Sequence, residues 1–394
     1  RKPKPEGVSG MDQRNLGIIR QISEWNRKKR PERLFFEGCG AGAQGVFEPY
    51  MNLQEETKAD FLQGPEKEVP VTVRFSRMNA GRGGADTVRD LRGFSVRFHT
   101  KDGAFDLLSL HLPEFYIRKA EEFSDLVNAL SPDPASGLTN RELYWIFLAD
   151  HPESLPCFLL LFSDRGTIKS YRHMEGYSPY AYRLKAEGTE KASEPVFFFW
   201  KPDLGARTIT GREAEFLSGF DPEAARRDLN EAVAGGEEPS WQLWMRKTDG
   251  EAVCIGRMRL TKVPDNYEAE IERLNFSPLH LVPGIELSGD EMQMMMAFAC
   301  EDGQRYRLGE PDGSSALLSL LAAEKARQDF EPEHFLKRAQ MYYGEMNGDE
   351  RDALAGNLAE EFLFLDEPLQ VRLLALLKRV DKGLGEALEQ WLKL

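Results

Sequence analysis

The sequence contains no run of 18 apolar residues, so none of it reads as a membrane-spanning helix. Cysteine is scarce: Cys39, Cys157, Cys254 and Cys300 are the only four, and no two of them stand in CxxC spacing. That composition argues against a disulfide framework and against a structural zinc site of the CxxC type. An excess of basic charge is missing as well. The net charge is −14, which excludes the broad cationic footprint that nucleic acid requires but leaves room for a local basic pocket for an anionic ligand. The first ten residues, RKPKPEGVSG, lack the apolar centre of a signal peptide and read as a flexible arm; a cytoplasmic protein is expected. The chain opens on Arg1, so an upstream segment can precede it. There is no internal repeat and no low-complexity tract.

The chain does carry enough apolar material for a sizeable core: 41% of its 394 residues are hydrophobic. Leu16, Ile19, Ile22 and Trp25 recur at helical spacing, and the basic RKKR that follows suits a helix C-terminus. In RLFFEGCGAGAQGVFE an apolar strand start meets Gly38, Gly40, Gly42 and Gly45. Glycine at that density predicts a tight turn or a closely approached backbone, followed by a second strand. VPVTVRF alternates as a strand, and RGFSVRFHT and FDLLSLHLPEFYI continue the pattern. Together they suggest an antiparallel barrel or sandwich. Residues 118–162 are mostly helical; PVFFFW and SWQLWMRKTDGEAVCIGRMRLTKV return to strands. Beyond Gly309 the strand signal disappears. There Leu369, Leu373, Leu376, Leu377 and Val380 mark one face of an amphipathic helix. Three regions are expected: an N-terminal arm and helix over 1–32, a β-rich core over 33–309, and a helical region over 310–394.

One stretch is unusual. SGDEMQMMMAFACEDGQRYRLG, residues 288–309, predicts a helix with Ser288 or Asp290 as N-cap and Gly303 as its stop. Cys300 falls in its last turn and an arginine-rich exit follows. Taken alone, Cys300 is a buried core thiol.

Several of these stretches resemble the haem catalase family, over roughly residues 17–309. FSRMNAGRGGADTVRDLRGFSVRFHTKDGAFDLL is similar to the catalase stretch beside haem. HPESLPCFLLLFSDRGTIKSYRHMEGY is similar to the one ending RHMNGYG, and PGIELSGDEM and RYRLG resemble the two ends of the proximal helix. The resemblance implies an α+β fold, a catalase-like antiparallel β-barrel with helical additions and a helical C-terminal region, holding haem b. It also implies that Arg74 and Arg307 meet haem propionates and that Ser76, Phe115 and Phe123 line the distal pocket, with the Phe123 ring over the porphyrin. His173 and Asp290 match proximal positions. The family's longer segment after RLG, which in many members helps to bind NADPH, is largely missing, so NADPH is not expected.

At the reacting positions the sequence departs from the family. Glu37 stands where catalases carry the distal histidine, in a stretch like RVVHAKGAGAFGYFE. Leu34 replaces a propionate-binding arginine, with Arg33 adjacent. Leu110 replaces the distal asparagine of DLVGNNTPIFF, with His111 next to it. Met296 and Cys300 replace the proximal arginine and the tyrosine that binds iron. Cysteine and tyrosine both bind ferric iron as anions, and thiolate is the more electron-donating of the two. A carboxylate at Glu37 can accept a hydroperoxide proton and return it to the leaving oxygen, and burial among Phe35 and Phe36 would tune it. His111 is a second acid–base candidate. Cys39 lies on the distal side and is not expected to bind the iron. With Leu110 apolar, the pocket suits an organic group better than a second peroxide.

The expected protein is a haem-thiolate oxidoreductase that spends a peroxide or organic hydroperoxide on oxidising or rearranging a small organic substrate, with little disproportionation of peroxide. A haem-dependent dehydration or N–O cleavage, and a non-catalytic haem sensor or decayed catalase, are the alternatives. A homodimer or homotetramer is expected.

Overall fold

A computed structural model describes residues 13–28, 40–78, 84–131, 136, 138–189, 193–248, 250–308 and 334–393, without the side chains of 13–15, 25–26, 28 and 305–307. Among the described residues ten strands follow one another: β1 (Gly40–Pro49), β2 (Val69–Arg77), β3 (Arg92–Thr100), β4 (Gly103–Leu110), β5 (Gly176–Tyr177), β6 (Tyr182–Leu184), β7 (Pro195–Pro202), β8 (Ser240–Lys247), β9 (Ala252–Lys262) and β10 (Ile285–Leu287). Eight of them close an antiparallel barrel in the order β7-β5-β4-β3-β2-β1-β9-β8, and β8 pairs back onto β7; β6 and β10 extend from β7. The expected choice between barrel and sandwich is thereby decided for the barrel, which has no open edge along its circumference.

Alternation assigns the faces. Val71, Val73 and Phe75 pair with Phe98, Val96 and Phe94, and this set points inward. Inside, Phe98 packs on Phe47, Phe61, Phe105 and Trp200 with ring centroids 4.7–6.3 Å apart. Phe75 packs on Phe94, Tyr171 and Trp241. The barrel interior is therefore packed with aromatic side chains.

Of the two expectations for the glycine-rich stretch, the closely approached backbone holds for Gly40, Gly42 and Gly45; Gly38 lies outside the described residues. Gly40, Gly42 and Gly45 all lie within β1, because neighbouring backbone comes too close for a side chain. A Cβ at Gly40 would lie 1.8 Å from the Phe75 carbonyl oxygen, and one at Gly45 would lie 1.9 Å from that of Arg259.

The helices are α1 (Gln13–Lys28), α2 (Phe123–Leu130), α3 (Arg141–Asp150), α4 (Leu155–Phe162), α5 (Gly211–Phe220), α6 (Ala224–Ala234), α7 (Glu291–Leu308), α8 (His334–Glu345), α9 (Gly348–Phe362), α10 (Glu367–Val380) and α11 (Lys382–Leu392). α1 lies on α7, and the C-terminal helices pack on α3 and α4. Leu369, Leu373, Leu376, Leu377 and Val380 are all buried, as their spacing predicts. α7 runs past the predicted stop at Gly303 to Leu308. A glycine inside a helix costs only about 1 kcal/mol, and the burial of Asp302 and Gln304 on either side of it holds the helix on course.

Candidate active site

The outer face of β1–β4 is built in rows. Strand pairing lines up Gly40, Ser76, Gly93 and Leu110 in one row, and Gly42, Arg74, Ser95 and Leu108 in the next. By alternation both rows face away from the aromatic core. They are nevertheless closed to water: Arg74, Ser76, Ser95 and Leu108 are fully buried and Leu110 nearly so.

Part of the cover is a single π-helical turn, Glu268–Glu272. Gln44 Nε2 donates to Glu270 Oε2 at 2.7 Å. Ile271 lies over Gly42, where a Cβ would come within 2.5 Å of its Cγ2. Arg74 Nη2 donates to Glu272 Oε1 at 3.1 Å. The Tyr267 hydroxyl is 2.8 Å from the Gly40 carbonyl oxygen and 2.9 Å from Glu272 Oε1. Such turns are rare and concentrate at functional sites. Here the turn fixes a buried guanidinium on the outer face of the barrel wall, in rows that also carry glycine and serine.

β4 ends at Leu110. The next residue, His111, continues the ladder, its N–H donating to the Arg92 carbonyl at 2.9 Å, while Nδ1 accepts from the Arg92 N–H at 2.9 Å. Alternation turns the imidazole toward Arg92 and away from the face of Leu110. Burial, then the Arg92 and Arg165 cations, hold its pKa well below the usual histidine value. The structure thus does not bring His111 to the wall that carries Ser76 and Leu110.

The segment after β4 is clamped by a buried carboxylate that the sequence reading missed. Glu114 is 1% exposed and meets Arg118, Arg338 of α8 and the Tyr342 hydroxyl, which donates to its Oε1 at 2.8 Å. Burial lowers the Arg118 pKa to about 10. The clamp ties the C-terminal helices to the stretch bearing Phe115 and, at the start of α2, Phe123; both rings are buried. Its only sequence signal was an acid next to Pro113 in an apolar run.

α7 begins at Asp290, whose Oδ1 accepts from the N–H groups of Met292 and Gln293 at 2.8 and 3.1 Å. Gln293 Nε2 donates to the Ala181 carbonyl at 3.1 Å, laying this end of the helix on the Tyr180–Tyr182 segment. Cys300 is two turns further along the same face and fully buried. Tyr180 is near enough for the Cys300 thiolate form to raise its pKa, after burial and Tyr182. Met296, one turn before Cys300, is 1% exposed. His173 is buried, its Nδ1 3.0 Å from the Gly205 carbonyl oxygen.

Of the predicted site residues, Arg74, Ser76, Leu110, Phe115, Phe123, Met296 and Cys300 are all buried. Arg33, Leu34, Phe35, Phe36, Glu37 and Cys39 lie outside the described residues, as does the side chain of Arg307.

The fold is an eight-stranded antiparallel barrel with helices packed on its outside, and Arg74 and Cys300 are both fully buried. A family model described as Catalase matches residues 6–253 and 244–312. Catalase HPII of Pseudomonas putida is 37% identical over 323 residues, covering 75% of this chain and 45% of that protein. The catalase of Methanosarcina barkeri is 36% identical over 322 residues, covering 75% and 62%. Catalase easC of Claviceps fusiformis is 37% identical over 328 residues, covering 76% and 67%. Among solved structures, a fungal catalase superposes with a TM-score of 0.83 at 24% identity, covering 100% of this chain and 93% of that one. Catalase A of Saccharomyces cerevisiae superposes with 0.82 at 24% identity, covering 96% and 93%. The chain belongs to the catalase family. It spans about half to two thirds of the length of the curated relatives it matches.

The family generally binds haem. The donors present suit such a group: a buried arginine for a carboxylate, apolar and aromatic walls, and a buried sulfur that can ionise on iron.

Proposed function

We propose that this protein is a haem-thiolate oxidoreductase that uses a peroxide or an organic hydroperoxide to oxidise or rearrange a small organic molecule, and that it disproportionates hydrogen peroxide poorly. The observation that carries the reading is the position of Cys300. It is fully buried on the helix that, by the family pattern, presents the iron ligand, and Met296 stands one turn earlier in place of a cation.

Haem, when bound, supplies an iron that accepts a peroxide oxygen. Cys300 would hold that iron as a thiolate, and the neutral Met296 leaves the sulfur's charge undiminished where an arginine would draw it away. Arg74, already aimed by Glu272, would bind a propionate, and Arg307 would bind the other. Ser76, Phe115 and Phe123 would line the distal side. Leu110 replaces a hydrogen-bonding group with an apolar one, which favours an organic substrate over a second peroxide. Glu37 would hold and return the proton of the hydroperoxide. His111, facing Arg92 with a depressed pKa, supports the fold of this wall more than proton transfer. The assembly proposed is a homodimer or homotetramer in the cytoplasm, and NADPH plays no part.

The test is direct. Reconstituted protein is given hydrogen peroxide alone and then peroxide with an oxidisable phenol or a fatty-acid hydroperoxide. Oxygen release far slower than substrate turnover supports the reading; rapid oxygen release with no substrate turnover overturns it.

A further inference from the structure

Away from the barrel wall, three side chains with metal-binding chemistry converge where the turn before α2 meets the turn between α3 and α4. The ligand atoms of Glu122, His151 and Glu153 all lie within 4.8 Å of one another. We propose that Glu122, His151 and Glu153 form a binding site for one divalent transition-metal ion of the zinc class.

Each donor is set up for this. Glu122 is only 6% exposed. Its Oε2 accepts from the N–H groups of Arg118 and Lys119 at 3.0 and 3.2 Å, which fixes the carboxylate and leaves Oε1 available. Lys119 Nζ is 3.9 Å from Oε1, on an exposed side chain. His151 is oriented on three sides. Its ring stacks on Phe147 with centroids 4.6 Å apart, Nδ1 is 3.3 Å from Glu153 Oε1, and Nε2 is 3.4 Å from Asp125 Oδ2. A carboxylate behind the distal nitrogen selects the tautomer that leaves Nδ1 as the ligand, the usual second partner of a metal-bound histidine. Glu153 sits on a rigid turn started by Pro152.

The ligand oxygens of Glu122 and Glu153 lie within 4.8 Å of each other and of the His151 ring nitrogen. A metal ion between them would offset the repulsion of two neighbouring carboxylates. Zinc–nitrogen and zinc–oxygen bonds of about 2.0–2.2 Å place donors roughly 3.4 Å apart in a tetrahedron, so atoms within 4.8 Å of one another need close by about an ångström. Water from the exposed Asp125 side would complete the coordination. One imidazole and two carboxylates suit zinc, manganese or ferrous iron better than calcium or a soft cuprous ion.

The full-length chain, stripped with a chelator, is titrated with zinc chloride by calorimetry, and cobalt(II) is bound in parallel as an optical probe. One ion per chain is expected, with a cobalt spectrum that lacks thiolate charge transfer. Glu122→Gln and His151→Asn should each weaken binding by at least ~10-fold. Gln at position 122 can still accept from both backbone amides, so the fold is retained. Should that variant not fold, His151→Asn and the wild-type cobalt spectrum decide the matter. No stoichiometric zinc, zinc binding unchanged in both variants, or a cobalt spectrum with thiolate bands would overturn the site. The last would place the ion on cysteine.

Discussion

Arg74 and Glu272 face each other between β2 and the π-helical turn, Nη2 to Oε1 at 3.1 Å, with the arginine fully buried and the glutamate 20% exposed. A charge so thoroughly desolvated depends on its acid partner. Glu272→Gln is expected to lower stability by about 1–3 kcal/mol, read as the midpoint of urea unfolding. A change within about 0.5 kcal/mol, the range of an ordinary surface substitution, would mean that this turn does not hold the arginine.

β1 offers a contrast with α1. Gly45→Ala puts a methyl group 1.9 Å from the Arg259 carbonyl oxygen, and a cost of about 3 kcal/mol is expected. Gly17→Ala, exposed on α1 with nothing within 4 Å of the new atom, is expected to stabilise by about 0.5–1 kcal/mol. Paired thermal melts check both, and equal effects at the two sites would contradict the close approach in β1.

His111 gives stability an acid limb. Its folded pKa is depressed by burial and by two arginines, so below the ordinary value the unfolded chain takes up a proton that the folded chain refuses. Stability therefore falls as pH drops below about 6.5, by up to about 1.4 kcal/mol per unit for this group. His99 and His173 are shifted in the same direction, also mainly by burial, and add to it. His111→Asn, which keeps an acceptor for the Arg92 amide, should flatten the fall between pH 7 and 5.5 in urea titrations. An unchanged slope would show that His111 is not the group responsible.

Much of this architecture was legible in the sequence. Strand alternation in VPVTVRF and RGFSVRFHT set the inward and outward faces, and Leu369–Val380 declared its buried stripe, because burial on one face imposes a period. What escaped were features made by distant pairings. The glycines of β1 left a turn and a close approach both open, because the carbonyls that crowd them belong to β2 and β9. Gly303 looked like a stop because the packing that carries α7 through it is tertiary. Glu114 meets Arg338 from more than 200 positions away, and no local pattern announces it. At the site, residue identity showed which groups had changed, while the pleat showed which of them share a wall: Leu110 with Ser76, and His111 with Arg92.

Glu37→Ala is expected to slow the reaction of the reconstituted protein with peroxide by about 10²-fold or more, followed by stopped-flow absorbance. Haem content should be unchanged. An unaltered rate would remove Glu37 from the proton pathway.

The axial ligand is the central claim, and the absorption spectrum of the reduced, carbon monoxide-bound protein tests it most directly. With Cys300 on the iron, the Soret band takes the red-shifted position of thiolate-ligated haem and Cys300→Ala abolishes it. A band at the position of nitrogen- or oxygen-ligated haem in the wild-type protein, unmoved by Cys300→Ala, would contradict the account.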